Sequence, residues 1–293
     1  MTLDIQSIAR ALGGKKTGQF TANVPGPGHR PGDRSLSITI KRGRLCVYSH
    51  AGNDWKECRD YVMDRLGIDR CSSRSQAAFT VVSQQEEDED AKKKAKRAIE
   101  IWQGSVDPRG TIVEHYLREH RGLRLTDDIA GKVIRFHGSL WFDQSARLPG
   151  MICLLRDIKT NEPRAIHRTF LHRETAEKID RRMLGPAKGT AIKFDPVSAS
   201  GLMIGEGVET CLSAREAGLS EAVWALGSSV AIRTFPVIAT ISTLTIIQEN
   251  DDTSRRDSAV CRDRYLKAGL PVNIVRSRIG NDLNDAWRAG RAG

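Results

Sequence analysis

Three acidic loops in the last hundred residues are where this chain could do chemistry. Glu206 stands between two glycines, in Gly205-Glu206-Gly207. Glu249 and Asp251 stand in Gln248-Glu249-Asn250-Asp251-Asp252. Asp282 and Asp285 stand in Gly280-Asn281-Asp282-Leu283-Asn284-Asp285. Each loop follows a short apolar run. Glycines beside Glu206 let the backbone turn tightly and approach a ligand closely. The Glu249-x-Asp251 spacing turns both side chains the same way if the strand continues, so the two could share one ion. Clustered carboxylates are hard oxygen ligands that suit Mg²⁺ or Mn²⁺, and such ions stabilise the charge of phosphoryl transfer. Singly, each acid is also an ordinary loop or helix-cap residue. Only the convergence of three loops points to a metal site.

That convergence needs a particular scaffold. Residues 201–204, 222–226, 244–247 and 272–275 read as short apolar strands, and 208–217, 255–268 and 283–288 as helices between and after them. The alternation predicts an α/β domain with a parallel sheet covered on both faces. Ligands in such sheets sit outside the carboxyl ends of the strands, where all three acidic loops fall. The middle segment predicts mixed α and β structure: a helix through Glu114–Leu117, then strands over 148–155 and 165–171 around a turn at Asn161-Glu162-Pro163. Residues 72–91 read as a polar linker ending in the acid run Glu86–Asp90, which self-repulsion would keep extended. The basic run over 92–97 then opens a helical pattern. The two runs together also fit a solvated helix start with acids at its N-terminus.

The 293 residues allow about two domains. No apolar run approaches a membrane span, and no secretory leader is visible at the N-terminus, so a cytoplasmic protein without a membrane partner is expected. The six cysteines are scattered without a Cys-x-x-Cys pair, which favours reduced thiols. The net charge of +10 is uneven. Residues 1–70 carry 12 Lys and Arg against 7 Asp and Glu, and residues 92–195 carry 22 against 13. The excess in these two segments suggests a polyanionic partner such as nucleic acid. No Gly-x-x-x-x-Gly-Lys-[Ser/Thr] loop is present, so no ATP-driven motor is encoded. The histidines show no convincing metal spacing, and no hydrolase triad is evident.

The IGEGVET, ENDD and GNDLND stretches, spread over about 80 residues, resemble the Toprim domain shared by DnaG-type primases, topoisomerases and some nucleases. The resemblance implies that Glu206 is the general acid/base and that Glu249 and Asp251 hold metal. It also implies that Asp282 is the further acid of primase-like members. Glu249 departs from the family's Asp-x-Asp. The front, from Val24-Pro25-Gly26-Pro27-Gly28-His29 through Asp33–Ile38 to Arg44–Asp54, resembles a primase-type zinc ribbon. His29 and Cys46 match two ligands, while Val24 and Ser49 replace the others. A ribbon fold whose Zn²⁺ site has decayed is therefore expected, with His50 and Cys58 near enough to substitute. The stretches Ala165–Leu171 and Arg182–Ala191 resemble the segment between ribbon and Toprim domain in phage- and plasmid-type primase relatives. By that resemblance Arg168, Arg181, Arg182, Lys188 and Lys193 are candidates for the template and nucleotide path.

The expected organisation is a zinc-ribbon-like domain (1–70), an acidic linker (71–91), a basic middle subdomain (92–198) and a Toprim domain (199–293). The leading expectation is a primase-like nucleotidyltransferase of a mobile element. It would make RNA primers from ribonucleotides on single-stranded DNA, with a helicase supplied in trans. The alternatives are a non-catalytic DNA-binding accessory protein on a primase scaffold and a Toprim nuclease.

Overall fold

A computed structural model describes residues 4–41, 44–51, 53–68, 84–143 and 145–290. They divide into two compact units, Met1–Glu89 and Asp90–Gly293.

The first unit holds helix α1 (Ile5–Ala11), strands β1 (Lys15–Gly18), β2 (Thr21–Val24), β3 (Leu36–Lys41) and β4 (Arg44–Ser49), and helix α2 (Trp55–Arg65). The strands form an antiparallel sheet in sequence order. Both helices start on aspartate caps: Asp4 accepts from the Ser7 amide, and Asp54 from the Lys56 and Glu57 amides, satisfying donors that a helix start leaves unpaired. Alternate strand residues Ala22, Val24, Leu36, Ile38 and Leu45 are buried with Ile5, Ile8 and Val62 of the helices, the period-2 pattern of a sheet with one covered face.

Helix α3 (Gln84–Gln103) begins in the last residues of the first unit and continues into the second, where a short helix α4 (Ile112–His115) runs into a π-helical turn at Tyr116–His120. Strands β5 (Ile134–Trp141), β6 (Arg147–Asp157), β7 (Pro163–Leu171), β8 (Lys178–Leu184) and β9 (Thr190–Lys193) follow. The chain continues through β10 (Leu202–Gly205), α5 (Val208–Glu216), β11 (Val223–Ala225), α6 (Ser229–Arg233), β12 (Leu244–Gln248), α7 (Asp252–Lys267), β13 (Val272–Arg276) and α8 (Leu283–Ala289). Nine strands make one sheet in the order β13-β12-β10-β11-β9-β6-β7-β8, with β5 also on β6. The parallel block β13-β12-β10-β11 is the sheet expected from the sequence. Strand β10 within it is buried on both faces: Leu202 and Ile204 join one apolar cluster, and Met203 joins the other.

The middle and C-terminal segments share one sheet, because the four-residue β9 pairs antiparallel with both β6 and β11. One expectation needs correction: residues 84–91 are helical rather than an extended linker. Acids near a helix N-terminus are favoured by the helix dipole, and Lys94 pairs with Asp90 one turn away at 2.8 Å. Residues 72–83 of the expected linker lie outside the described residues.

Candidate functional site

The three acidic loops do come off the carboxyl ends of β10, β12 and β13. Gly205 ends β10 where α5 folds back hard on the sheet: a Cβ there would lie 2.7 Å from the Cys211 sulfur and 3.2 Å from Ile247. Only glycine allows that approach. Glu206 follows at once, with its side chain mostly buried, and Gly207 caps α5.

The second loop departs from the sequence reading. Strand β12 stops at Gln248, so strand alternation does not carry on to align Glu249 with Asp251. Instead Asp251 caps α7, accepting from the Ser254 amide at 2.8 Å, while the Glu249 amide donates to Ser254 Oγ at 3.0 Å. Asn250 ties this loop to the third. Its amide donates to the Asn281 carbonyl at 3.0 Å, and its Nδ2 to those of Ser277 and Gly280 at 3.1 and 2.9 Å. There Asp282 caps α8, and Asp285 accepts in return from the Asn281 and Asp282 amides, a reciprocal box.

Electrostatics report the convergence. Glu249 is pushed up to about 7, first by burial, then by the charges of Glu206 and Asp282 with a lesser share from Asp251, and against the pull of Arg181. Like charges around a half-buried carboxylate have this effect. The donor set therefore fits a divalent cation, which would relieve the repulsion around Glu249. Among the described residues no three such groups already stand in ligating arrangement.

Arg181 brings a positive charge into this acidic site. It reaches across from β8 to Glu206, Nη2 to Oε1 at 2.9 Å. The other basic candidates divide. Arg168 and Arg182 face each other across β7 and β8. Arg182 Nε donates to Asp180 at 2.8 Å, another of its nitrogens donates to the Phe142 carbonyl, and its guanidinium covers the Phe142 ring at 4.3 Å. Arg168 is pushed down by burial and by Arg182, and its buried Nε has no partner among the described residues. Lys188 is exposed in the β8–β9 turn. Lys193 is not part of this group: its Nζ donates to the Ile158 carbonyl at 3.2 Å and lies 4.5 Å from the Trp224 ring centroid.

In the first unit, His29 Nδ1 meets Asp33 Oδ2 at 2.7 Å and Ser35 Oγ at 2.9 Å. Cys46 sits on β4 opposite Thr39. The two are not joined in a metal-ligating group among the described residues. The expected substitutes are also placed otherwise: Cys58 is in the apolar core, and His50 Nε2 meets Ser37 Oγ at 2.7 Å.

Sequence reading missed one buried polar cluster beside the site. Glu209, three residues past Glu206, is buried in the first turn of α5. It accepts from Tyr116 Oη at 2.5 Å and Lys178 Nζ at 2.8 Å, and Arg121 Nε donates to Tyr116 Oη at 2.9 Å. Burial opposes its charge, yet Lys178 and Tyr116 hold it down at about 2. The one signal in the sequence is an acid inside the otherwise small and apolar run Val208–Ala214.

The raised Glu249 makes a pH prediction. Its pKa in the fold lies above its ordinary 4.5, so between about 4.5 and 7 the fold holds a proton the unfolded chain has lost. Its contribution is therefore largest at low pH and fades as pH rises through 7. Without metal, the parent is expected to lose about 1–3 kcal/mol more than Glu249→Gln between pH 5 and pH 8. Urea unfolding of both chains in chelator checks this. The comparison with the variant removes the opposing effect of His167, which is buried and pushed down to about 4. Equal losses would contradict the convergence.

Comparisons with known proteins match the chain in two segments. Residues 201–292 match the Toprim domain, and residues 92–194 match a domain of unknown function (DUF7146). No curated protein matches the chain. Three solved structures are similar at low identity. The primase fragment of the bacteriophage T7 primase-helicase protein is 13% identical, with a TM-score of 0.44, over 59% of this chain and 69% of that one. The Aquifex aeolicus primase, in its zinc-binding and RNA polymerase domains, is 12% identical, with a TM-score of 0.45, over 100% and 85%. A DNA primase domain from Pseudomonas aeruginosa is 14% identical, with a TM-score of 0.46, over 67% and 74%.

Proposed function

For a chain whose residues 201–292 form a Toprim domain, we propose a primase-like nucleotidyltransferase that joins ribonucleotides on single-stranded DNA. One observation carries the reading. Four carboxylates leave three loops at the carboxyl ends of one sheet, and Arg181 of β8 pairs with one of them, Glu206. Glu249, Asp251 and Asp282 would hold Mg²⁺ or Mn²⁺. Such an ion neutralises phosphate charge in phosphoryl transfer. Glu206 accepts the proton of the attacking 3′-hydroxyl. The new O–P bond forms at the α-phosphate of the incoming nucleotide, and pyrophosphate leaves. Arg168, Arg181, Arg182 and Lys188 take template phosphates, Arg by its planar fork and Lys as a point charge. In the chain alone Arg181 is engaged with Glu206. A template phosphate competes for that guanidinium and releases Glu206 for chemistry. The setting we propose is mobile-element replication in the cytoplasm, with a separate helicase.

The test is primer synthesis. The full chain with single-stranded DNA, labelled ribonucleotides and Mg²⁺ or Mn²⁺ is expected to yield short labelled products. Tight, salt-sensitive DNA binding without products would overturn the enzyme reading in favour of an accessory protein. Metal-dependent loss of the DNA without nucleotides would make it a nuclease.

A further inference from the structure

A cleft of about 660 Å³ opens elsewhere in the second unit, and none of the four carboxylates lines it. Residues 195–197 and 237–240 border it. The first group follows β9, which runs antiparallel to β11, and the second precedes β12. This border therefore lies toward the amino ends of the parallel strands, whereas the acidic loops leave their carboxyl ends.

Three cations enter the cleft: Arg156, Lys159 and Lys193. Arg156 donates to the Asn161 carbonyl at 3.1 Å, and Lys193 donates only to the Ile158 carbonyl. None of the three pairs with a carboxylate among the described residues. The two nearby acids are already engaged. Asp195 accepts from Arg215 Nε at 2.8 Å and from the Val223 amide at 3.2 Å. Asp157 accepts from Arg164 at 2.9 Å and from the Lys159 and Thr160 amides at 2.9 and 3.0 Å. Three cations thus border one half-enclosed space whose lining holds a single acid, Asp195, already engaged by Arg215, and an anion there is favoured. Burial, and less so Arg156, push Lys193 down against the opposing charge of Asp157. The rest of the wall is largely apolar, with Val197, Val237 and Ile238 among its residues. Its volume lies within the ~300–1,000 Å³ of small-molecule sites.

We propose that this cleft binds a phosphate-bearing small molecule of mononucleotide size. Arg156, Lys159 and Lys193 hold its phosphates, and its planar body lies against the apolar wall. The assignment does not depend on the primase reading, and its test uses neither template nor divalent metal. The full chain in chelator is titrated with ATP carrying a fluorescent label on its ribose and followed by anisotropy. Saturable binding is expected, weakened about 10-fold by Lys159→Gln and by Lys193→Met, and unchanged by Lys132→Gln on an exposed surface outside the cleft. Lys159 is exposed, so its replacement leaves the fold intact, and Met at 193 keeps an aliphatic stem on Trp224. Unlabelled ATP is expected to displace the probe at lower concentration than pyrophosphate. Absent binding, or binding that ignores both cleft variants, would overturn the site. Equal displacement by pyrophosphate would overturn the role of the apolar wall.

Discussion

Replacing Glu206 with Ala is expected to lower primer synthesis by roughly 10²–10⁴-fold, the usual worth of a positioned general base, while DNA binding is retained. Glu206 is held in place by its surroundings. The preceding glycine is fixed by α5, and the side chain is mostly buried with one charged partner, Arg181. No other described carboxylate shares its place at the end of β10. Its loss removes the proton acceptor but also frees Arg181, so phosphate affinity should hold or rise. Glu206→Gln keeps the size, removes the charge and should fail equally. Synthesis by product assay and binding by salt titration must therefore part company. Persistent synthesis in either variant defeats the assignment. Joint loss of binding and synthesis would give Glu206 a structural role instead.

Lys178→Met is expected to destabilise the second unit by about 3–5 kcal/mol, because it leaves the buried Glu209 carboxylate without its cation. Tyr116, backed by Arg121, is then left to face a charge that burial disfavours. The damage spreads because the cluster joins the π-helical turn, β8 and α5, while Asn284 of α8 donates to the Arg121 carbonyl and Ser213 Oγ at 2.9 Å each. Adding Glu209→Gln to Lys178→Met removes the stranded charge and should recover most of the loss. Urea midpoints of the parent and the two variants check this. Equal stability of parent and Lys178→Met would show that Glu209 does not depend on this ion pair.

Much of the C-terminal part was readable from sequence because its signals are local. A run such as Leu244–Ile247 between polar turns can be little but a buried strand, and its helical neighbours imply parallel pairing. The acids after those runs then fall at one sheet edge without any knowledge of distances. The Toprim motifs followed from the same residues, and the match over 201–292 agrees with them.

Other features were beyond local pattern. Residues 190–193 are too short and too near Gly189 to announce a strand, yet their pairing with β6 and β11 merges the two segments into one sheet. Arg181 gave the same signal as Lys188 and Lys193, a surface cation. Only the β7–β8 register delivers it to Glu206, 25 residues on. The spacing of Glu249 and Asp251 suggested strand alternation, but β12 ends at Gln248 and Asp251 caps a helix. The sequence by itself determined which groups could do chemistry and the order of the elements carrying them, since composition and periodicity act over a few residues. The tertiary structure alone decided which charges meet, because ion pairing and burial depend on contacts between residues far apart in the chain.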